Sequence, residues 1–382
     1  MELIWSTEDL VITGRPYPGF PILLWDSMGS CVPANQFIRH YLLLRGAIRS
    51  RKSWPSIGRA MYDFFSFLQA HELDWRDVDR GEAKTLIAGY RGYCEDECKL
   101  KLSTIRQRLS YVCSFYKYAL KQGWVSRLPF EYEWRPDKHR TDFLAHVDAS
   151  GGTRATKDVM PRSQREHPKF LHMDEIRALI SVVKNPHHRM MIQFGLQTGL
   201  RREEITTFPL AYVFDPDEST RNRRNFEIYL DPYDGHGICT KGKKPRNILI
   251  SRKLLSVLYR YVVQVRGERA HLTDNKYQQL FLNQFGEPYA NGGKSIERIV
   301  RELGKRAAIK VHPHMLRHTY ATHTLSQLQK SGGSIDPLVF LMRQLGHSSI
   351  NTTMIYVHLV SELADEAVLA YDDELNEDWE NA

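Results

Sequence analysis

The chain has 382 residues and a formal charge of +8, with a pI near 9.1, a length sufficient for two domains that each bury a core. It contains no run of about 18 apolar residues, the minimum for a membrane-spanning helix, and its opening, MELIWSTEDL, carries early acids instead of a basic region ahead of an apolar one. A membrane span and a secretory leader are therefore both excluded as expectations, and a cytoplasmic protein is expected. Residues 361–382 hold nine acids and no Lys or Arg, so the preceding 360 residues carry +17, and a basic body of that kind favours a polyanionic partner. The five cysteines, Cys31, Cys94, Cys98, Cys113 and Cys239, are scattered without a CxxC pair. Reduced thiols are expected, with no metal site and no cofactor.

In chain order, residues 1–33 read as an N-terminal extension. Helical stretches are expected at 34–48 and 82–97. Between Trp54 and Ala70 the apolar residues Ile57, Met61, Phe64, Phe65 and Leu68 form the stripe of a helix that packs one face into a core, and Ile105, Leu109, Val112, Tyr116 and Ala119 repeat it over 103–122. Residues 34–125 thus predict a helical domain. The periodicity then fails, and residues rich in Gly, Pro, Ser, Thr and charge make 126–169 an interdomain linker. A second domain is expected over 170–365. It begins with helices from Met173 and over 187–197, continues with short alternating runs at 226–230, 237–240 and 246–250, and returns to helices over 254–265, around Ile296, Ile299, Val300 and Leu303, and over 314–327. The fold class is mainly α with a small antiparallel β-sheet. Residues 366–382 form an acidic C-terminal tail.

Four segments of the second domain carry chemistry: TGLRREE (198–204), TKGKKPR (240–246), HPHMLRHTYATH (312–323) and LGHSSINTTMIYVH (345–358). Cleaving a phosphodiester without a metal requires a nucleophile, cations for the charge on the phosphoryl oxygens and a proton donor for the leaving oxygen. Arginine suits the second role because its planar fork gives two hydrogen bonds to one phosphate and stays charged. Arg201 follows Gly199, which can end one helix and leave the arginine at the start of the next. His314 and Arg317 are three apart and share one face of a helix. Lys241 lies on a glycine turn between predicted strands, where a merely basic hairpin is the alternative. A phenol with its usual pKa of about 10 is a poor nucleophile unless a base or nearby cations help it.

The order and context of these segments resemble the tyrosine site-specific recombinases, also called the phage integrase family. The resemblance covers residues 170–365 strongly and 34–125 weakly, where it implies a core-binding domain ahead of the catalytic one. It implies Tyr356 as nucleophile, Arg201 and Arg317 as the phosphate clamp, His314 as proton acceptor or phosphate ligand, Lys241 as donor to the leaving 5′ oxygen and His347 as a phosphate hydrogen-bond donor. Glu204 supports the site, Arg202 and Glu203 point elsewhere, and His312, His318, His323 and His358 are left as packing or capping residues. Arg106, Arg108, Lys243, Lys244 and Arg246 are candidate DNA contacts, as are Arg49, Arg51, Lys52, Lys99 and Lys101. The implied function is a site-specific DNA recombinase working through a 3′-phosphotyrosyl intermediate, integrating or excising a mobile element. The implied partners are double-stranded DNA, three further copies of the chain on two paired sites and an accessory protein. A type IB topoisomerase and a catalytically silent DNA-binding regulator are the alternatives. The sequence departs from the family pattern at 211–225, which reads as an insertion. Residues 1–33 are too short for an arm-binding domain, favouring a transposon, genomic-island or Xer-like subtype.

Overall fold

The computed structural model describes residues 1–45, 50–78, 85–136, 153–162, 168–218, 223–331 and 336–360. The chain divides into two units, Met1–Arg165 and Glu166–Ala382. The linker segments 137–152 and 163–167, the acidic tail, Arg49 and residues 361–365 lie outside the described residues.

The first unit opens with four short strands. β1 (Glu2–Trp5) pairs antiparallel with β4 (Pro21–Leu24), and β2 (Val11–Ile12) with β3 (Arg15–Pro16). Helix α1 (Val32–Arg39) continues through a π turn at His40–Leu44, and is followed by α2 (Trp54–Ala70), α3 (Thr85–Gly92) with a π turn at Tyr93–Glu97, and α4 (Leu102–Lys121). The two predicted stripes are buried together in one core, each large side chain contributing about 1.5–3 kcal/mol through removal from water.

Two boundaries differ from the sequence reading. Residues 1–33 are no extension, because Phe20, Leu23 and Cys31 belong to the same core as α2 and α4. The side chain of Asn35 clamps β4 to α1: its Oδ1 accepts from Leu23 N and its Nδ2 donates to Leu23 O, both at 2.8 Å, completing backbone groups that a short strand leaves open. The linker also contributes structure. β5 (Tyr132–Pro136) pairs antiparallel with β6 (Thr153–Lys157), and Phe130 and Val159 flank that ladder with side chains in the core of this unit.

The second unit runs α5 (Met173–Ser181), α6 (Pro186–Thr198), α7 (Arg202–Thr206), β7 (Asn225–Leu230), β8 (Arg246–Ser251), α8 (Arg252–Tyr261), α9 (Gly267–Ala270), α10 (Lys294–Arg306), α11 (Pro313–Ser331), α12 (Pro337–Leu345) and α13 (Ile350–Thr353), with further helix at 355–360. β7 and β8 are antiparallel, in register from Asn225 opposite Ser251 to Leu230 opposite Arg246. Phe226, Ile228 and Leu230 face the core with Ile248 and Ile250, the period-2 pattern of a half-buried strand pair. The strand expected at 237–240 does not form. Ile238 and Thr240 are buried in alternation, yet the N–H of Cys239 donates to Thr207 Oγ1 at 2.9 Å and not to a strand partner. The insertion at 211–225 begins in a 3-10 turn at Leu210–Tyr212 and ends by entering β7; residues 219–222 lie outside the described residues. Mainly helical units with small antiparallel ladders are the fold class expected. Among the described residues no helix is long and apolar enough to cross a membrane.

Candidate active site

Two chain reversals build the site. Helix α6 ends at Gly199, whose φ of +65° is left-handed and whose N–H bonds Gly195 O. A Cβ here would sit 2.4 Å from Tyr320 Cδ1 and 2.9 Å from Leu345 Cδ2, so both conformation and close packing require glycine. The chain then places Arg201, in extended conformation, at the N-cap of α7. Helix α12 ends in the same way at Gly346, φ +65°, where a Cβ would meet Arg246 Cδ at 2.6 Å. Two helix C-termini, each with unpaired carbonyls and the negative end of its dipole, are thereby brought to one place.

Arg317, on α11, fills the gap between them and is 2% exposed. Its Nη1 donates to Gly199 O at 2.8 Å, and its Nη2 to Leu345 O at 2.7 Å. Arg201 Nη2 donates to the next carbonyl, Gly346 O, at 3.2 Å. Burial, and then the like charge of Arg201, lower the Arg317 pKa to about 10, which leaves the guanidinium charged at neutral pH. The helix-end carbonyls offset that burial by supplying acceptors in place of water.

Glu204 is fully buried beneath this pair. Its carboxylate accepts from Arg201 N at 2.8 Å and Arg201 Nη1 at 3.0 Å, and from both terminal nitrogens of Arg246 at 2.8 Å each. Burial acts to raise its pKa, but the Arg246 hydrogen bonds and charge, with the charge of Arg201, overcome it and hold the group below the ordinary carboxylate range. Arg202 turns away to Gly292 O and Glu297.

The histidines are neutral in the free protein. Burial first, then the surrounding cations, lower His314 to about 4 and His347 to about 3. The charges acting on His314 are those of Arg317, His312, Arg201 and Lys241, which puts the exposed Lys241, on its short turn Lys241–Lys243 before β8, within electrostatic reach of the cluster. His347 Nε2 lies 3.1 Å from Arg317 Nη2, and its Nδ1 lies 2.9 Å from the buried Thr353 Oγ1. A guanidinium only donates, so Nε2 accepts and the ring proton sits on Nδ1, facing Thr353.

Tyr356 is 2% exposed, and its hydroxyl lies 3.0 Å from Nδ1 of His318. Its ring is parallel to that of His347, centroids 6.3 Å apart. Burial raises the phenol pKa, opposed by the charges of Arg317 and Arg201. Arg201, His314, Arg317, His347 and Tyr356, spread over more than 150 residues of sequence, are thus coupled in one cluster.

The other candidates have partners of their own or are exposed. Arg106 donates to Pro161 O, and Arg108 pairs with Asp63, which also accepts from Tyr90 at 2.6 Å. Lys243 and Lys244 are exposed, whereas Arg246 spends its fork on Glu204 and its Nε on Gln344 O. His323 bonds Leu171 O at 2.9 Å, a packing role. His318, also left as a packing residue, instead contacts the phenol of Tyr356. The signal for it is its position one turn after His314 on α11, where i and i+4 share a face. Among the described residues no group of three His, Cys, Asp or Glu side chains is placed to hold a metal ion.

The sequence profile of the phage integrase family matches residues 169–362. The chain belongs to the phage integrase family. As a tyrosine recombinase it cleaves and rejoins DNA. It is 26% identical over 322 residues to tyrosine recombinase XerC of Lacticaseibacillus casei, covering 81% of this chain and 89% of that one. It is also 26% identical over 261 residues to transposase A from transposon Tn554 of Staphylococcus aureus, covering 67% and 66%. A solved structure of XerH site-specific recombinase bound to a palindromic difH substrate shares the fold, with a TM-score of 0.57 at 18% identity over 89% of this chain and 85% of that one.

Proposed function

We propose that the cluster around Arg317 breaks and remakes one DNA strand at a time, with Tyr356 as the nucleophile. The phenol oxygen attacks the scissile phosphorus, a 3′-phosphotyrosyl bond forms, and the bond to the 5′ oxygen breaks. Lys241 gives that oxygen its proton. Arg201 and Arg317 hold the non-bridging oxygens, where charge develops in the transition state, and His314 supplies a further hydrogen bond. His347, whose Nε2 accepts from Arg317 and whose Nδ1 faces Thr353, orients that arginine instead of donating to the phosphate as the sequence reading expected. The 5′ hydroxyl of a partner duplex then attacks the phosphotyrosine and restores a phosphodiester, so the bond energy is conserved in the protein–DNA link.

The observation that carries this reading is that Arg317 bonds Gly199 O, Leu345 O and His347 at once. One buried cation therefore ties together three of the motifs, with the buried tyrosine beside it. DNA-bound structures of XerH and of the Tn1549 transposon integrase share the fold, and they support double-stranded DNA as partner; four protomers on two paired sites and a cytoplasmic setting are part of the proposal. The Tn554 relative supports integration or excision of a mobile element; an accessory protein is part of the proposal. A strand-exchange assay tests it: two labelled duplexes taken from the DNA flanking the gene are incubated with the protein, without nucleotide. Recombinant-length strands that reproduce at one phosphate support the reading. Relaxation of arbitrary supercoiled plasmid without exchange would place the activity with topoisomerases instead.

A further inference from the structure

Resting on the reading of Tyr356 as nucleophile, we infer that His318 is a further catalytic residue, the acceptor of the proton that the Tyr356 hydroxyl must lose. The two groups are in hydrogen-bond contact, Nδ1 to Oη 3.0 Å. A guanidinium only donates, so Arg317 cannot take the phenol's proton, and His318 is the acceptor in contact with it. For Nδ1 to accept, the neutral imidazole carries its proton on Nε2.

His314 is not hydrogen-bonded to the phenol; its ring stands edge-on to that of His318, centroids 4.4 Å apart. The two histidines therefore divide the work along α11, His314 beside the arginines and His318 beside the nucleophile. The groups that face His318 are His314, Arg317, His312, His347 and Tyr356. Burial and the positive members of this set hold it at about 3 in the free protein, so proton transfer is unfavourable before DNA arrives. A scissile phosphate seated on Arg201 and Arg317 adds negative charge beside the ring, cancels part of the field of those arginines and makes the imidazole more basic. Cleavage chemistry is then coupled to correct phosphate docking.

The step balances. The Tyr356 O–H bond breaks as its proton passes to His318 Nδ1, the Oη–P bond forms, the P–O5′ bond breaks and O5′ takes the Lys241 proton. Rejoining returns both protons.

The test is single-turnover formation of the protein–DNA adduct on a nicked duplex, across pH, for the unaltered chain, His318→Asn and His318→Ala. Asparagine keeps an acceptor near the place of Nδ1 without its basicity. Both variants are expected to bind the duplex as the unaltered chain does, to form adduct about 100-fold more slowly or worse, and to regain rate as pH rises toward the phenol's own ionisation. A 5′-thio leaving group, which needs no proton, is expected to rescue Lys241→Ala and leave His318→Asn slow. An Asn variant within threefold of the unaltered rate, or one rescued by the thio substrate, overturns the assignment. If the unaltered chain makes no adduct, or Tyr356→Phe still makes one, the failure belongs to the nucleophile reading itself.

Discussion

The carboxylate of Glu204 lies between two guanidiniums and receives both terminal nitrogens of Arg246 at 2.8 Å each, while also holding the backbone and side chain of Arg201. Removing one partner of such a buried set leaves uncompensated charge, which costs far more than the net worth of the pair. Glu204→Ala is therefore expected to lower unfolding free energy by about 3–5 kcal/mol, read by urea denaturation. A loss within the ordinary ±0.5 kcal/mol of a surface change would show that the arginines find other acceptors. Because the folded pKa of Glu204 is lowered, its contribution is present above the ordinary carboxylate range and is lost as pH falls through the lowered folded value.

Arg246 belongs to that buried set, so Arg246→Lys is expected to destabilise the unit, since an ammonium cannot reproduce the fork. The salt slope of DNA binding, corrected for folded fraction, should stay the same. The exposed Lys243 and Lys244 contrast with it: changing either to alanine should leave stability alone and reduce the slope by about 1. A reduced slope for Arg246→Lys at full folding would make it a phosphate contact.

The site histidines give a pH signature of their own. His314 is held at about 4, and His318 and His347 at about 3, against an ordinary value of 6.5. Between those limits the unfolded chain binds more protons than the folded one, so stability rises with pH across that window and is fully present above it. Replacing His347 with Gln is expected to flatten the slope of the urea midpoint between pH 4 and 6.5. An unchanged slope would mean that His347 titrates alike in both states.

Arg317 fixes the His347 tautomer by donating to Nε2, and Thr353 Oγ1, at 2.9 Å from Nδ1, accepts the ring proton that remains. Thr353→Val should leave the ring proton on Nδ1 without its buried acceptor, costing about 1–3 kcal/mol. Nitrogen-15 spectra should still show the Nδ1–H form, because Arg317 continues to donate to Nε2; a mixture of tautomers would mean that Arg317 does not set the ring's protonation.

Much of the site was legible because its residues sit in short strings of fixed spacing. TGLR, HxxR and the late His and Tyr identify themselves, and the stripes of α2 and α4 are long enough for a helical period to register. What was missed depends on partners remote in sequence. Arg246 reads as one more charge in a basic loop until Glu204, 42 residues away, is seen to need it. His318 reads as packing until α11 and the segment carrying Tyr356 are brought together. The strands of residues 1–33 are two to four residues long, too short for alternation to show, and Asn35 clamps β4 by a side-chain contact that no periodicity encodes. Residues 237–240 erred the other way: the alternation is real, but the backbone finds Thr207 in place of a strand.

The central claim is that Tyr356 carries the DNA. The direct measurement is covalent capture on a nicked duplex, followed by denaturation, proteolysis and mass spectrometry of the nucleotide-bearing peptide. The account predicts an adduct on the peptide containing Tyr356, with a 3′-phosphate link, and none from a Tyr356→Phe protein that still binds the duplex. An adduct mapped to another residue, or retained by Tyr356→Phe, would contradict it.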